Sequence, residues 1–537
     1  MERVVVVGAG AMGAGIAFVA ARGGYGVDLV DTDPSARDRA MERVRRDAVR
    51  AGDESIVQRV RPLSAVPVTG DAILAIEAVP ERSDLKRSVL ASLAAALGPG
   101  TPIASNTSSL SVTDLAGAVP HPDRVLGLHF FNPPAAMKLV EVVRAQLTSD
   151  AALDAALAFV DRIGKTAVVA EDTPGFIVNR VARPFYLQSM RALDRGIATV
   201  AELDALARGA GFRMGPFELM DLIGLDVNLA TSESVYERTH AARLAPLAMQ
   251  REMVAQGRLG RKASAGGFYE YRDGDYARFT PEPHALDESA AESERIAVVG
   301  FGNAAAELVE LLGRRFDDVQ HVERDDLLDE LDVETTIAID AGDGTSDRGD
   351  VVASLDGLLG PETVILVDAY ATALGPCAAR MRHPGRLIGY GILGSLEAQS
   401  VVEVVDSDAA SDEALALAQE LFGALDRAVV LVEDVPGLFL GRIVGSIVNE
   451  AMIAVQEGVA CADDVDVAMR LGTNYPVGPI AWGREIGGAR ISRVLRALAA
   501  AEGEEFGPHR SLWLLDADDE ESADPIPEPS VAPTLPG

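Results

Sequence analysis

The chain of 537 residues repeats its own pattern, and this internal repeat limits the folds that it can adopt. The segment RLIGYGILGSLEAQSVVEVV begins at Arg386 and repeats the pattern of RVLGLHFFNPPAAMKLVEVV, which begins 262 residues earlier at Arg124. A register that is kept over such a distance indicates a duplicated structural unit. The glycine-rich turns at Gly8 and Gly300 lie 292 residues apart, so the second copy lacks about 30 residues near its start.

Apolar strands and helical segments alternate through the first part of each copy. RVVVVG at residues 3–8 has the β-branched composition of a buried parallel strand, and an apolar helical segment follows at residues 16–21. This alternation predicts a doubly wound sheet of the Rossmann type, and helical periodicity after Asp172 predicts a following all-α domain. The predicted fold is therefore α/β plus all-α, duplicated with a reduced and degenerate second copy. The predicted parts are a dinucleotide-binding domain at 1–173, a helical domain at 174–271, a linker at 272–293, a reduced Rossmann-like domain at 294–435, a second helical domain at 436–515, and a disordered acidic tail at 516–537.

The first strand runs directly into GAGAMG, which is the context that a dinucleotide fingerprint requires. Gly8 permits a tight turn, Gly10 lets a pyrophosphate approach the backbone, and Gly13 lets helix and strand pack closely. Asp31 ends the second strand, where its carboxylate can accept hydrogen bonds from ribose hydroxyls and repel a 2′-phosphate. These residues predict that NAD binds in preference to NADP. The alternative is a nucleotide-type fold that binds no ligand.

His129 precedes Glu141 by twelve residues in the segment HFFNPPAAMKLVEV. A histidine titrates near neutral pH, and a carboxylate can fix its tautomer and stabilise its cation. Beside a nicotinamide, such a pair is suited to taking a proton from an alcohol while hydride leaves the same carbon. The sequence therefore predicts an NAD-dependent oxidation of an alcohol. The alternative for His129 is a structural histidine in the core or at a strand end. The alternative for Glu141 is an exposed carboxylate on a strand.

The second copy has lost the residues that would carry this chemistry. At the offset of 262 residues only the glutamate persists, as Glu403, and Ala305 stands in place of the third fingerprint glycine. We therefore expect neither normal dinucleotide binding nor hydride transfer in the second copy. The other replaced positions are His129 by Gly391, Asn132 by Gly394, Ser108 by Tyr370 and Asn179 by Gly441.

The composition restricts the possible partners. A net charge of −34 argues against nucleic acid and anionic membranes, and no apolar run is long enough to span a bilayer. Arginine carries nearly all of the positive charge, which is typical of a protein from a salt-rich cytoplasm or from a GC-rich genome, and we favour the first. The two cysteines lack CxxC spacing, so we predict no disulfide framework, no metal site and a cytoplasmic location.

Motifs of the first copy resemble, in order, those of the L-3-hydroxyacyl-CoA dehydrogenase family over residues 1–271. They are GAGAMGAGIA, EAVPE with Lys86, ASNTSSL, HFFNPPAAMKLVEV, EDTPGFIVNR, GPFELMDLIGLD and GGFYEY. The whole chain resembles the two-repeat 3-hydroxybutyryl-CoA dehydrogenase type. The resemblance implies oxidation of an L-3-hydroxyacyl-CoA with a short acyl chain to the 3-oxoacyl-CoA, with NAD as the hydride acceptor.

The resemblance also implies roles for individual residues. The implied roles are His129 as general base, Glu141 as its partner, Ser108 and Asn179 as hydrogen-bonding groups for substrate oxygens, Asn132 as a support for substrate and ring, and Glu81 and Lys86 as contacts on the nicotinamide side of the cofactor. The alternative role for Ser108 and Asn179 is capping of local turns. For Lys86 the alternative is a position on a solvated helix face.

The resemblance leaves three questions open. The family binds the CoA phosphates with a lysine after the second strand, which this chain lacks; Arg43, Arg46 or Arg50 could serve instead, or all three could be plain surface residues. Family members of single length dimerise through the helical domain, so we expect the second copy's helices to complete an internal pseudo-dimer, with a homo-oligomer still open. The alternative functions are a dehydrogenase of a non-CoA hydroxy acid and a non-catalytic binding protein.

Overall fold

The computed structural model describes residues 1–68, 71–263, 265–273, 275–285, 294–326, 330–342 and 348–516. The predicted acidic tail beyond Asp516 lies outside these residues, as do residues 274 and 286–293 of the predicted linker. Within the described part, the strands form two separate sheets. The strands of the first sheet are β1 Arg3–Val7, β2 Gly26–Val30, β3 Val60–Leu63, β4 Ala72–Glu77, β5 Ile103–Ser105, β6 Val125–Phe130, β7 Leu139–Arg144 and β8 Thr166–Glu171. Those of the second are β9 Arg295–Val299, β10 Asp318–Val322, β11 Ile337–Asp340, β12 Val364–Asp368, β13 Leu387–Gly391, β14 Val401–Val405 and β15 Ala428–Val432.

The first sheet has the strand order β3-β2-β1-β4-β5-β6-β7-β8. All neighbouring strands are parallel except β6 and β7, which are antiparallel. The central strands are buried because helices cover both faces of the sheet, and their valine-rich and isoleucine-rich runs suit that environment. The predicted doubly wound sheet is therefore confirmed, and β6 and β7 are its one antiparallel pair.

Helices cover the first sheet and then form a helical region. Those of the first half are α1 Ala11–Arg22, α2 Pro34–Arg50, α3 Ser83–Ala96, α4 Val112–Ala116, α5 Asp150–Arg162, α6 Val178–Val181, α7 Arg183–Asp194, α8 Val200–Gly209, α9 Pro216–Ile223, α10 Leu225–Thr239 and α11 Ala248–Ala255. The 3₁₀ turns are Glu54–Arg59, Pro122–Arg124, Ala242–Leu244, Arg324–Asp326, Pro384–Arg386, Glu504–Phe506 and Arg510–Leu515. Pro246 lies between the turn Ala242–Leu244 and α11, and it lacks the N–H that a continuous helix over this segment would need.

The second half repeats this architecture with seven strands in the order β10-β9-β11-β12-β13-β14-β15, again with one antiparallel pair, β13 and β14. Among its described residues nothing corresponds to α2 and β3, which accounts for the residues missing from the second copy. The duplicated fold is confirmed. The helices of the second half are α12 Asn303–Gly313, α13 Arg348–Leu358, α14 Leu374–Ala378, α15 Asp412–Ala424, α16 Leu440–Gln456, α17 Ala462–Gly472, α18 Pro479–Ile486 and α19 Gly488–Glu502.

The two helical regions pack on each other through contacts that repeat by a local two-fold symmetry. The backbone N–H of Glu171 donates to the carbonyl oxygen of Val459 at 2.8 Å, and that of Glu433 donates to Ile197 at 3.1 Å. Glu433 and Val459 are the counterparts of Glu171 and Ile197 at the offset of 262 residues, so each bond is the image of the other. This reciprocal pattern is the mark of an isologous interface, which here lies within one chain.

Buried side chains extend the same symmetry. Arg180 on α6 forms an ion pair with Glu450 on α16 at 2.8 Å, and Arg442 on α16 donates to Gln188 on α7 at 3.3 Å. Arg442 and Glu450 are the counterparts of Arg180 and Gln188, and all four residues are at least 96% buried. Two buried arginines thus join the halves at equivalent places. None of the described helices combines the length and the apolar composition that a membrane-spanning helix requires.

Candidate active site

The predicted site residues of the first half lie along one edge of its sheet. Strands β1, β4, β5 and β6 are adjacent and parallel, so their carboxyl ends follow one another along that edge. Gly8 follows β1, Glu77 ends β4, Ser105 ends β5, and His129 lies one residue before the end of β6. In open α/β sheets ligands bind outside the carboxyl ends of the strands, so this edge is the candidate active site.

The imidazole of His129 and the carboxylate of Glu141 are in direct contact. The two residues face each other across the antiparallel pair β6 and β7, and His129 Nδ1 lies 2.5 Å from Glu141 Oε2. The other carboxylate oxygen accepts the backbone N–H groups of Ile177 at 3.0 Å and Val178 at 2.9 Å. Glu141 is completely buried, so these bonds fix its position, and it in turn fixes the imidazole.

The ring of His129 is held with one nitrogen toward Glu141, which leaves Nε2 as the nitrogen that can exchange a proton. The phenyl rings of Phe131 and Phe176 pack against the imidazole, with ring centroids 4.6 Å and 5.8 Å from its own. Within the part of the chain that the structure describes, Nε2 has no hydrogen-bond partner. The arrangement suits a general base whose tautomer is set by the carboxylate.

The glycine-rich turn has the shape that a dinucleotide phosphate requires. Gly8 has a φ of 105°, and a Cβ on Gly13 would lie 1.7 Å from the carbonyl oxygen of Gly8, so neither position accepts a side chain. At Gly10 a Cβ would meet nothing within 4 Å, so this residue faces open space at the N-terminus of α1. The backbone N–H groups there can receive a pyrophosphate.

Asp31 lies beside this turn. Its Oδ2 accepts the backbone N–H of Ala9 at 2.8 Å, and its Oδ1 accepts that of Asp33 at 2.9 Å. Each carboxylate oxygen can accept further bonds, so hydroxyl groups of a ribose can share this side chain. The residues present therefore fit the predicted NAD, with Asp31 placed to hold the ribose and the glycines placed to hold the phosphates.

Lys86 is buried in a cluster of acidic groups, so the predicted alternative of a solvated helix face is wrong. Its side chain is 1% exposed, and its Nζ lies 2.9 Å from Glu77 Oε1 and 3.2 Å from Glu81 Oε2. Glu77 is fully buried and also accepts a hydrogen bond from the hydroxyl of Ser105 at 2.6 Å. Glu77 could not be predicted from the sequence, because a single glutamate at the end of an apolar strand carries no signal of its own.

Glu81 organises the loop that carries Ser108. Its carboxylate accepts hydrogen bonds from the hydroxyl of Thr107 at 2.6 Å and from the backbone N–H groups of Ser108 at 2.9 Å and Ser109 at 3.1 Å. Burial alone would raise the pKa of Glu81, but Lys86 and these hydrogen bonds hold that pKa below its usual value. Glu81 is thus an anion that shapes the loop.

The structure brings Asn179 to the same loop. Asn179 follows Val178, which binds Glu141, and its amide donates to the carbonyl oxygen of Ser108 at 3.4 Å. Ser108 and Asn179 are both partly exposed, and Asn179 directly follows the residue whose N–H binds Glu141. Asn106, which the sequence analysis missed, accepts the backbone N–H of Phe130 at 2.9 Å and supports the strand that carries His129.

Asn132 lies apart from this group. It is exposed, and it makes no hydrogen bond to His129 among the described residues. It lines a cavity of about 420 Å³ between α1, α2 and the loop after β6. The same cavity is lined by Arg43, Arg46 and Arg50, so all three predicted CoA-binding arginines face one space.

In the second half, Tyr370 occupies the place that the imidazole of His129 occupies in the first half. Glu403 accepts backbone N–H groups from Phe439 and Leu440, the counterparts of Ile177 and Val178, but its remaining partner is the hydroxyl of Tyr370 at 2.9 Å. A Cβ on Gly391 would lie 3.0 Å from the Tyr370 ring, and a Cβ on Gly441 2.6 Å. The tyrosine thus requires glycine where the first half has His129 and Asn179.

Comparison with known proteins agrees with this geometry. The domain family described as 3-hydroxyacyl-CoA dehydrogenase, NAD binding domain, matches residues 3–173, and the family described as 3-hydroxyacyl-CoA dehydrogenase, C-terminal domain, matches residues 175–271 and again 437–521. The chain belongs to the 3-hydroxyacyl-CoA dehydrogenase family. It is 35% identical over 516 residues to a 3-hydroxyadipyl-CoA dehydrogenase of Escherichia coli strain K12, covering 94% of this chain and 95% of that one.

Of two further relatives of this dehydrogenase, one matches about half of the chain and the other nearly all of it. A 3-hydroxybutyryl-CoA dehydrogenase of Bradyrhizobium diazoefficiens is 37% identical, and the match covers 51% of this chain and 96% of that protein. The crystal structure of a 3-hydroxybutyryl-CoA dehydrogenase from Escherichia coli K12 superposes over 96% of this chain and 98% of that one, with a TM-score of 0.78 and 33% identity. The dehydrogenase is thus an NAD-dependent oxidoreductase that oxidises 3-hydroxyacyl-CoA.

Proposed function

We propose that the first half oxidises the L enantiomer of short-chain 3-hydroxyacyl-CoA, such as 3-hydroxybutyryl-CoA, and that His129 is its general base. The observation that carries the proposal is the 2.5 Å contact between His129 Nδ1 and Glu141 Oε2 at the carboxyl edge of the sheet. With Nδ1 bound to the carboxylate, Nε2 accepts the proton of the substrate's 3-hydroxyl group. Glu141 then stabilises the imidazolium without leaving its three hydrogen bonds.

Neutral groups orient the substrate in this proposal. Ser108 and Asn179 donate hydrogen bonds to the hydroxyl and thioester oxygens, and neither competes with His129 for the proton. Glu81 holds the Ser108 loop in place through its bonds to the loop backbone. Asn132 helps to hold the substrate at the cavity that it lines together with Arg43, Arg46 and Arg50.

The cofactor is held by the chain's own residues in the same proposal. The turn that Gly8, Gly10 and Gly13 permit receives its phosphates at the N-terminus of α1, Asp31 binds the ribose hydroxyls, and Glu81 and Lys86 contact the nicotinamide side. Bound NAD supplies the acceptor for the hydride of the substrate carbon. Arg43, Arg46 and Arg50 bind the CoA phosphates, since guanidinium groups match phosphate oxygens and the three face one cavity.

The second half replaces a partner subunit in this proposal, and the chain is of the two-repeat 3-hydroxybutyryl-CoA dehydrogenase type. The support is the reciprocal pair of backbone bonds at Glu171 and Glu433, which resembles the interface of a symmetric dimer. We further infer a cytoplasmic, halophilic protein from the charge of −34. Assembly of whole chains into a homo-oligomer is compatible with these contacts.

The substrate assignment is tested by an NAD-linked assay with the full chain. We expect reduction of NAD with L-3-hydroxybutyryl-CoA, less with a sixteen-carbon analogue, and none with the D enantiomer or with free 3-hydroxybutyrate. Activity should be higher at about 1 M than at about 0.1 M KCl, because salt screens the repulsion among carboxylates. Turnover of the free acid at the rate of its CoA ester would contradict the proposal, and full stability and activity in dilute buffer would remove its halophilic part.

Replacement of Asp31 tests the cofactor assignment. Asp31→Ala should weaken NAD binding and lower the ratio of kcat/KM for NAD over NADP by about tenfold to a hundredfold, because hydrogen bonds to the carboxylate and its repulsion of a 2′-phosphate are lost. Asp31→Asn is the control for the turn, since an amide oxygen can still accept the Ala9 N–H while the charge is gone. An unchanged cofactor preference in both variants would reject this role for Asp31.

A further inference from the structure

The Ser108 loop, residues 106–111 between β5 and α4, is held from two sides. On the side of the nucleotide-binding domain, the carboxylate of Glu81 accepts the backbone N–H groups of Ser108 and Ser109 and the hydroxyl of Ser109 at 3.0 Å. These bonds use donors of the loop and leave its carbonyl oxygens for other partners. The carbonyl oxygens of Ser108 and Ser109 accept hydrogen bonds from the helical domain.

Arg238 donates the shorter of these two bonds. It lies in the last turn of α10, and its Nη1 donates to the carbonyl oxygen of Ser109 at 2.7 Å, whereas the amide of Asn179 donates to that of Ser108 at 3.4 Å. Among the described residues no carboxylate pairs with Arg238. A hydrogen bond from a guanidinium group is stronger than one between neutral groups, so Arg238 makes the stronger link from the helical domain to this loop.

The bond joins the two domains of the first half beside a residue of the proposed active site. Ser109 is held at its N–H by Glu81 and at its carbonyl oxygen by Arg238. Ser108 directly precedes it, so the position of Ser108 depends on both bonds. A displacement of about 1 Å is enough to spoil the alignment of a group with reacting atoms, so a bond that fixes this loop bears directly on turnover.

The end of this loop has a second anchor, which both halves of the chain share. In the first half the carboxylate of Asp172 accepts the backbone N–H of Val112 at 3.0 Å. In the second half the carboxylate of Asp434 accepts that of Leu374, also at 3.0 Å. Asp434 and Leu374 are the counterparts of Asp172 and Val112 at the offset of 262 residues, so the duplicated fold retains this contact whether or not the half carries catalytic residues.

The bond from Arg238 differs, because the second half cannot form it. Gly224 and Gly487 precede α10 and α19 with φ of 111° and 90°, so these helices align from their first residues. This alignment pairs Arg238 with Ala501, whose side chain has no hydrogen-bond donor. The half in which Tyr370 stands in place of the histidine therefore lacks this link as well. A bond that served the fold alone would be retained like the aspartate anchor, whereas this one accompanies the catalytic residues.

We propose that Arg238 is a positioning residue for the oxidation of 3-hydroxyacyl-CoA and that it acts through Ser108. Its guanidinium group holds the carbonyl oxygen of Ser109 and so keeps the Ser108 loop against the helical domain while the Ser108 hydroxyl meets the substrate. Arg238 itself contacts neither substrate nor cofactor. The inference rests on the proposed function, because that proposal assigns Ser108 its role.

The test is a double-mutant cycle in the full chain, with L-3-hydroxybutyryl-CoA as substrate and saturating NAD. Arg238→Met and Ser108→Ala should each lower kcat/KM by about tenfold or more, because each removes a hydrogen-bond donor. The double variant should stay within about threefold of Ser108→Ala, since no Ser108 hydroxyl is left for Arg238 to position. Arg213→Met is the matched control and should keep wild-type kcat/KM, because this exposed arginine of the helical domain has no side-chain partner among the described residues.

The outcomes separate this inference from the proposed function. An active wild type with unchanged kcat/KM in Arg238→Met would overturn the inference alone, and so would losses that multiply in the double variant, because Arg238 would then not act through Ser108. The midpoint of urea unfolding should be the same in wild type, Arg238→Met and Arg213→Met, since both arginines are exposed. A midpoint lowered by Arg238→Met alone would assign this residue to the stability of α10 and overturn the inference. No oxidation of the CoA ester by wild type would instead reject the proposed function, and with it the role of Ser108.

Discussion

His129→Ala should lower kcat for L-3-hydroxybutyryl-CoA by about 10²–10⁴-fold, which is the usual contribution of a general base. Glu141 already occupies Nδ1 of the imidazole, so Nε2 is the nitrogen left to accept the proton of the alcohol. KM should change much less than kcat, because the CoA phosphates are proposed to bind at Arg43, Arg46 and Arg50, whose cavity His129 does not line. Steady-state NADH formation at saturating NAD measures both constants.

The second half supplies a matched control for this prediction. Burial raises the pKa of Glu403 to about 7, so Glu403→Gln is a mild change at the counterpart of Glu141. That variant should retain wild-type turnover. Glu403 contacts the hydroxyl of Tyr370 where Glu141 contacts the imidazole of His129, so we expect no hydride transfer in the second half. If His129→Ala kept turnover within about threefold of wild type while Glu403→Gln lost it, the assignment of catalysis to the first half would be wrong.

Lys86→Met should lower the free energy of unfolding by about 3–5 kcal/mol, the cost of leaving one member of a buried ion pair alone. Glu77 is completely buried, and without Lys86 only the N–H of Val79 and the hydroxyl of Ser105 would offset its charge. Urea unfolding of the full chain, followed by circular dichroism, measures the loss. NAD binding should weaken as well, since Glu81 and the Ser108 loop lose their cation.

Two companion variants separate the ion pair from other effects of losing a lysine. Lys138→Met removes an exposed lysine and should change stability by no more than about 0.5 kcal/mol. Glu77→Gln combined with Lys86→Met should recover most of the lost stability, because the neutral amide keeps an acceptor for Val79 and Ser105. A loss below about 1 kcal/mol for Lys86→Met alone would show that this lysine does not stabilise the buried carboxylate.

The first sheet and its glycine-rich turn could be predicted because patterns of neighbouring residues along the chain determine both. An apolar β-branched strand that ends at Gly8 has few structural alternatives, and the repeat at Gly300 predicted the second sheet. The short strand Val60–Leu63 was missed, since VRPL has no alternation and contains proline, which tolerates only an edge position such as this one.

The candidate site was predicted as a set of residues but not as an arrangement. The antiparallel register that places Glu141 opposite His129 depends on strand pairing, which the twelve-residue spacing alone does not determine. The role of Tyr370 as a substitute partner for Glu403 was equally hidden, because it depends on glycines far away in sequence. Long-range packing decides such contacts, whereas motifs report only neighbours along the chain.

The reciprocal bonds at Glu171 and Glu433 have a consequence for how this enzyme responds to dilution. In a dimer of separate subunits such bonds are lost when the concentration falls, whereas here a covalent tether keeps both surfaces at a high effective concentration. Every chain therefore keeps the proposed active site of the first half packed beside the second half at any protein concentration.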